Sequence, residues 1–181
     1  MKFMATTTLM SFAEFELLEW DPDDLELLKG ESIRMPPPQR PHMFNCERLF
    51  ELLKSAVERL RQLNPSRPLG LVHIEMGYYF PGEPASWLRP DVSLTHPGQP
   101  GDRYYIGAPL IVFEVVSEND TPARLDRKVS VYLANGAAEV WLLYPVQRHA
   151  VVFDASGSRI ETRSIHTDLL PGVDIPLDQI L

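Results

Sequence analysis

Glu114 is the residue hardest to account for without chemistry. It sits in the run Leu110 to Val116, apolar at every other position and β-branched enough to read as a strand buried on both faces. An ionised carboxylate buried alone costs several kcal/mol, so it needs a metal ion, a cation from another element, or a raised pKa that keeps it neutral. Asp91 stands near the start of the preceding strand, and antiparallel pairing of the two would bring both carboxylates to one shared cation. Two carboxylates, a backbone carbonyl and waters form the oxygen shell that magnesium accepts. Lys128 lies on the helix that follows. At about 100° per residue it borders the face made by Leu125, Val129, Tyr132 and Leu133. Its ammonium can reach the C-terminal end of the strand, to pair with Glu114, orient a water or offset charge developing on a phosphate. The same spacing also fits a purely architectural Glu114–Lys128 pair, and Asp91 after Pro90 also fits a strand start or a turn cap.

The elements that must position these side chains follow from periodicity. Leu110–Val116, a helix from Ala123 to Asn135 closed by Gly136, and a strand from Ala138 to Tyr144 make a strand-helix-strand unit with parallel strands. Leu69–Phe80 reads as one strand, Gly82–Trp87 as a loop, and Arg89–His96 as a strand on which Asp91, Ser93 and Thr95 share a face. Ahead of these, Phe44–Leu63 repeats apolar residues at three and four positions and predicts a long helix. Pro36, Pro37, Pro38 and Pro41 make a stiff exposed connector before it. Ser11 with Glu14 is a capping-box pattern for a short helix ending near Trp20, and strands flanking Lys29-Gly30 predict a hairpin. Ala150–Phe153 and Arg159–Ile165 pair across Ser156-Gly157. The expected fold class is α/β (α+β), with a mixed sheet and helices packed on it.

The chain's length of 181 residues suits a single domain, residues 12–181 behind a leader of 1–11. Within it, 12–41 carry the first helix and hairpin, 42–145 the core, and 146–181 the last strands and tail. No stretch approaches the roughly 18 apolar residues of a membrane span, and the expectation is a soluble, cytoplasmic protein without a membrane partner. The net charge of −8 disfavours nucleic acid, yet residues 1 to 31 hold eight acids against Lys2 and Lys29, leaving the remainder near neutral. Cys46, the single cysteine, falls on the apolar side of the long helix and reads as core. His73 and Glu75 share a strand face, but not the helical spacing of a zinc motif, and read as surface residues.

E-L-L-K-G-E (Glu26 to Glu31), P-P-P-x-x-P-H ending at His42, R-P-D-V (Arg89 to Val92), F-E-V-V-S (Phe113 to Ser117), D-R-K-x-x-x-Y (Asp126 to Tyr132), N-G-A-A-E-V-W (Asn135 to Trp141) and L-P-G (Leu170 to Gly172) occur in this order. Together they resemble the Uma-type putative restriction endonuclease family of the PD-(D/E)XK nuclease superfamily. The resemblance implies a restriction-endonuclease-like four-stranded mixed core flanked by helices, with the N-terminal β-hairpin added. It implies that Asp91 and Glu114 are the two metal-holding acids. In the wider superfamily a lysine lies two residues after the second acid, where this chain has Val116. In the Uma-type family a lysine on the next helix looks like its replacement, which is Lys128 here. Glu26 and His42 match family positions and would assist the site.

The expected activity is a Mg²⁺-dependent DNA endonuclease, with Mn²⁺ as a substitute. Asp91, Glu114 and the Val115 carbonyl would hold the ion and Lys128 would orient the water. A homodimer would supply two sites for two strands. Two alternatives stay open: a catalytically silent nuclease-fold domain used for binding or assembly, and a metal-dependent hydrolase of a smaller substrate.

Overall fold

The computed structural model describes residues 9–18 and 25–181. Its first element, α1 (Phe12–Glu16), opens on the expected capping box: the Ser11 hydroxyl accepts from the Glu14 N–H, and the Glu14 carboxylate accepts from the Ser11 N–H. The expected end of this helix near Trp20 lies outside the described residues. The hairpin forms as β1 (Leu25–Leu28) and β2 (Glu31–Arg34), turning at Lys29 and Gly30, both with positive φ. The long helix, α2 (Arg40–Leu63), begins at Arg40 rather than Phe44. Pro41 explains this extension, because its fixed φ suits a first helical turn, where no N–H is needed. His42 is therefore a first-turn residue and not a cap.

One expected strand is divided and another is shortened. Leu69–Phe80 becomes β3 (Val72–Ile74) and β4 (Tyr78–Phe80), broken where Glu75 takes a φ of 48°. At Gly77, a Cβ would lie 2.6 Å from the Trp87 ring. The expected loop Gly82–Trp87 instead leads into β5 (Ser86–Leu88), and the strand expected over Arg89–His96 shrinks to β6 (Val92–Leu94). Pro90 has no N–H with which to extend the ladder. Beyond β7 (Tyr105–Ile106), β8 (Ile111–Val115), α3 (Pro122–Ala134) and β9 (Glu139–Tyr144) form the expected strand-helix-strand unit, with β8 and β9 parallel. Then come β10 (His149–Asp154) and β11 (Gly157–Glu161), antiparallel as expected, although the strand expected over Arg159–Ile165 stops at Glu161 and Ser164–His166 falls in another sheet. A small pair, β12 (Ser164–His166) and β13 (Asp174–Pro176), closes the chain.

The mixed α/β architecture is as expected, but its sheets are larger and divided differently. A six-stranded sheet runs β11-β10-β9-β8-β6-β3, and the hairpin belongs to a separate five-stranded sheet, β2-β1-β5-β4-β7. On one face of the six-stranded sheet, Phe113, Trp141 and Val92 pack on Leu49, Leu53 and Val57 of α2. On the other face, Val112, Val140 and Leu142 meet Leu125, Val129 and Tyr132 of α3 and Leu28, Tyr78 and Leu88 of the second sheet. β8 is thus buried on both faces, and alternation turns Glu114 toward α3.

Gly77→Ala pushes a methyl group into the Trp87 ring where the chain passes from one sheet to the other. The expected cost is about 1–3 kcal/mol, read as a lower denaturation midpoint with an unchanged slope.

Candidate active site

β6 lies antiparallel to β8 with Val92 opposite Phe113, so continuing the register by one residue sets Asp91 opposite Glu114. Asp91 stands where Pro90 ends the ladder, and its side chain takes over the missing strand contact. Its Oδ2 accepts the Val115 N–H at 2.6 Å, and its Oδ1 lies 3.1 Å from His42 Nε2. Val116 N–H donates to Leu143 on the β9 side, so the Val115 N–H and carbonyl both point to the Asp91 side, beyond the end of β6. His42 enters from the first turn of α2. Hydrogen bonding to Asp91 raises its pKa above the ordinary 6.5, against the lowering effect of its own partial burial.

Glu114, Lys128 and Glu26 form a buried group at 7%, 3% and 2% exposure. Lys128 Nζ lies 2.9 Å from Glu114 Oε1 and 3.1 Å from Glu26 Oε1. Lys128 thus reaches the second acid from the helix, while Val116 packs against the apolar core on the α3 side. The Tyr132 hydroxyl donates to Glu114 Oε1 at 2.8 Å, and the Arg89 N–H donates to Glu26 Oε1 at 3.0 Å. Burial lifts the Glu114 pKa to about 8, outweighing the opposing pull of Lys128. Burial opposes the charge on Lys128, but the carboxyl groups of Glu114 and Glu26 beside it push its pKa up. Glu26, expected to assist the site, is part of the buried cluster.

These residues line one cleft of about 500 Å³, walled by the exposed Pro36, Pro37 and Pro38. Glu75 also lines it, whereas His73 turns aside to the Tyr105 hydroxyl at 3.2 Å. Sequence reasoning placed Tyr132 on an apolar face and did not foresee its bond to Glu114. It also passed over Arg124, which pairs with Asp120 at 2.5 Å on the cleft wall. An E-x₁₇-Y spacing carries no signal, but Arg124 lies four residues after Asp120, a helical pairing distance that was readable.

The oxygen donors of Asp91, Glu114 and the Val115 carbonyl suit a hard divalent cation. Glu26 Oε2 supports the fit: it is buried with no hydrogen-bond donor among the described residues, and its carboxylate lines the same cleft. A different set of three donors, His42, Cys46 and Asp91, has ligand atoms within 4.8 Å of one another. Asp91 is common to both arrangements.

The family model described as "Uma2: Putative restriction endonuclease" matches residues 12–179. The chain belongs to the Uma2 family. Among solved structures, this Uma2 chain is similar to a putative nuclease belonging to DUF820 from Anabaena variabilis, at 17% identity and a TM-score of 0.80. The match covers 94% of this chain and 97% of the other, and at that identity it establishes the fold, a restriction-endonuclease-like one. No curated protein matches the Uma2 chain. Among the described residues no helix is long and apolar enough to cross a membrane.

The two shifted groups give separate tests. A raised carboxyl pKa contributes stability that is complete below pH 4.5 and is lost as pH rises through about 8. The melting temperature of the wild type should therefore fall, relative to Glu114→Gln, across that interval. For His42, the contribution is complete below 6.5 and lost as pH rises through the folded value. NMR titration should find His42 above 6.5, and Asp91→Asn should lower it.

Proposed function

We propose that the protein is a Mg²⁺-dependent endonuclease that hydrolyses DNA phosphodiester bonds, with Mn²⁺ able to replace Mg²⁺. The observation that carries this reading is the β6–β8 register, which sets Asp91 opposite Glu114 at the open end of the sheet while Lys128 reaches Glu114 from α3. Family membership and the shared fold support the reaction class.

In this reading Asp91, Glu114 and the Val115 carbonyl hold the cation. Bound there, Mg²⁺ supplies Lewis-acid activation of the phosphate and of the attacking water. Asp91 is ready to bind because the Val115 N–H and His42 fix its carboxylate. Glu114 must give up its proton to bind, so Mg²⁺ affinity rises with pH below about 8. Lys128 uses two donors on Glu114 and Glu26, leaving its third to orient a water or meet phosphate charge. Glu26 holds the ammonium in place, and His42 restrains Asp91. With Arg124 paired to Asp120, the positive groups that can meet phosphate include the cation, Lys128 and Arg89 on the cleft wall. A homodimer would present two such clefts to two strands.

The deeply buried, doubly paired Lys128 favours one competing reading, a silent nuclease-fold domain in which the cluster is architectural. Supercoiled plasmid with Mg²⁺ or Mn²⁺ separates the two. The wild type should nick it, and Asp91→Asn, Glu114→Gln and Lys128→Ala should each lose about 100-fold or more. No nicking, together with no heat of Mg²⁺ binding, would establish the silent domain. Equal cutting by all variants would identify a contaminant.

A further inference from the structure

His42 and Cys46 lie four residues apart on α2 and so share a face, and that face meets Asp91. His42 Nε2 and Asp91 Oδ1 are 3.1 Å apart, and all three ligand atoms, including Cys46 Sγ, fall within 4.8 Å of one another. Ligands at tetrahedral angles on bonds of about 2.0–2.3 Å are themselves roughly 3.3–3.8 Å apart. The three groups therefore need only a small contraction to close on one ion. The donor set is imidazole, thiolate and carboxylate, which suits a borderline or soft cation and not magnesium.

We propose that His42, Cys46 and Asp91 form a second metal site, selective for Zn²⁺-like cations, whose occupation takes Asp91 away from the oxygen-lined Mg²⁺ position. Three protein ligands leave the fourth position for water from the cleft, where His42 and Asp91 are partly exposed. Binding requires the Cys46 thiol to release one proton to solvent, and the proton that His42 Nε2 donates to Asp91 Oδ1 to leave that nitrogen, for Nδ1 or for solvent. Burial first, then the charges of Asp91, Glu75 and Glu114, push that thiol's pKa up. The same negative field that opposes a bare thiolate favours a dication beside it. Because Asp91 serves both positions, such an ion would inhibit Mg²⁺-dependent cleavage.

Co²⁺ titrated into the reduced full-length chain tests the site by a signal independent of nuclease activity. The expected result is a one-to-one complex with thiolate-to-cobalt charge-transfer absorption, displaced by Zn²⁺. The band should vanish in Cys46→Ser, and binding should weaken at least about tenfold in His42→Gln. Glu114→Gln should keep the band, since Glu114 belongs only to the oxygen-lined position. Absence of the band in the wild type, or a band undiminished in His42→Gln, overturns the proposal. Circular dichroism of each variant identifies loss of signal through unfolding, and Cys46→Ala then repeats the thiol test in a variant without a buried hydroxyl. Should plasmid nicking fail altogether, the cobalt result still decides the metal site.

Discussion

One ammonium holds carboxylates from two different sheets. Glu26 belongs to β1 of the five-stranded sheet and Glu114 to β8 of the six-stranded sheet, and Lys128 descends from α3 to bond both. Removing Lys128 would leave two carboxylates without a cation in the interior, and removing both acids would strand the ammonium, so the three positions depend on one another. The cluster also has one acid too many. A proton on Glu114 removes the excess at neutral pH, and a divalent cation in the cleft would do the same. The desolvation that raises the Glu114 pKa thus sets a proton in competition with any cation for that carboxylate.

Asp91 is fixed by a different constraint. Pro90 ends the β6 ladder, and the Asp91 carboxylate accepts the Val115 N–H that a longer strand would have paired. Its second oxygen meets His42, delivered by a helix that starts early because Pro41 suits its first turn. The acid is thereby oriented before any ligand arrives. Its side chain is shared between the sheet end and α2.

Much of this site was legible from local periodicity. The β-branched run around Glu114 required a buried strand, the Gly136 stop and the next apolar run required a parallel partner, and the helical angle brought Lys128 to the border of the buried face. Glu26 was legible only through the family resemblance, not from local pattern. L-E-L-L in a hairpin looks like a strand with one wet face, and its complete burial comes from β5 laid alongside it and Lys128 placed over it, contacts spanning 63 and 102 residues of sequence. Tyr132 was hidden for a related reason. Its ring obeys the apolar period of α3 while its hydroxyl answers to a strand that the period does not describe.

The sequence by itself determined that Glu114 and Lys128 carry charge into the interior, which strand and helix bear them, and that β8 and β9 run parallel. These follow from turn residues and periods of 2 and 3.6, which act within one element. Tertiary structure alone decided that the hairpin joins a second sheet, that one lysine serves two acids, and that Cys46 and His42 converge on Asp91. Hydrogen-bond pairing and electrostatic compensation act between elements far apart in the chain, and no local pattern records which partner will supply them.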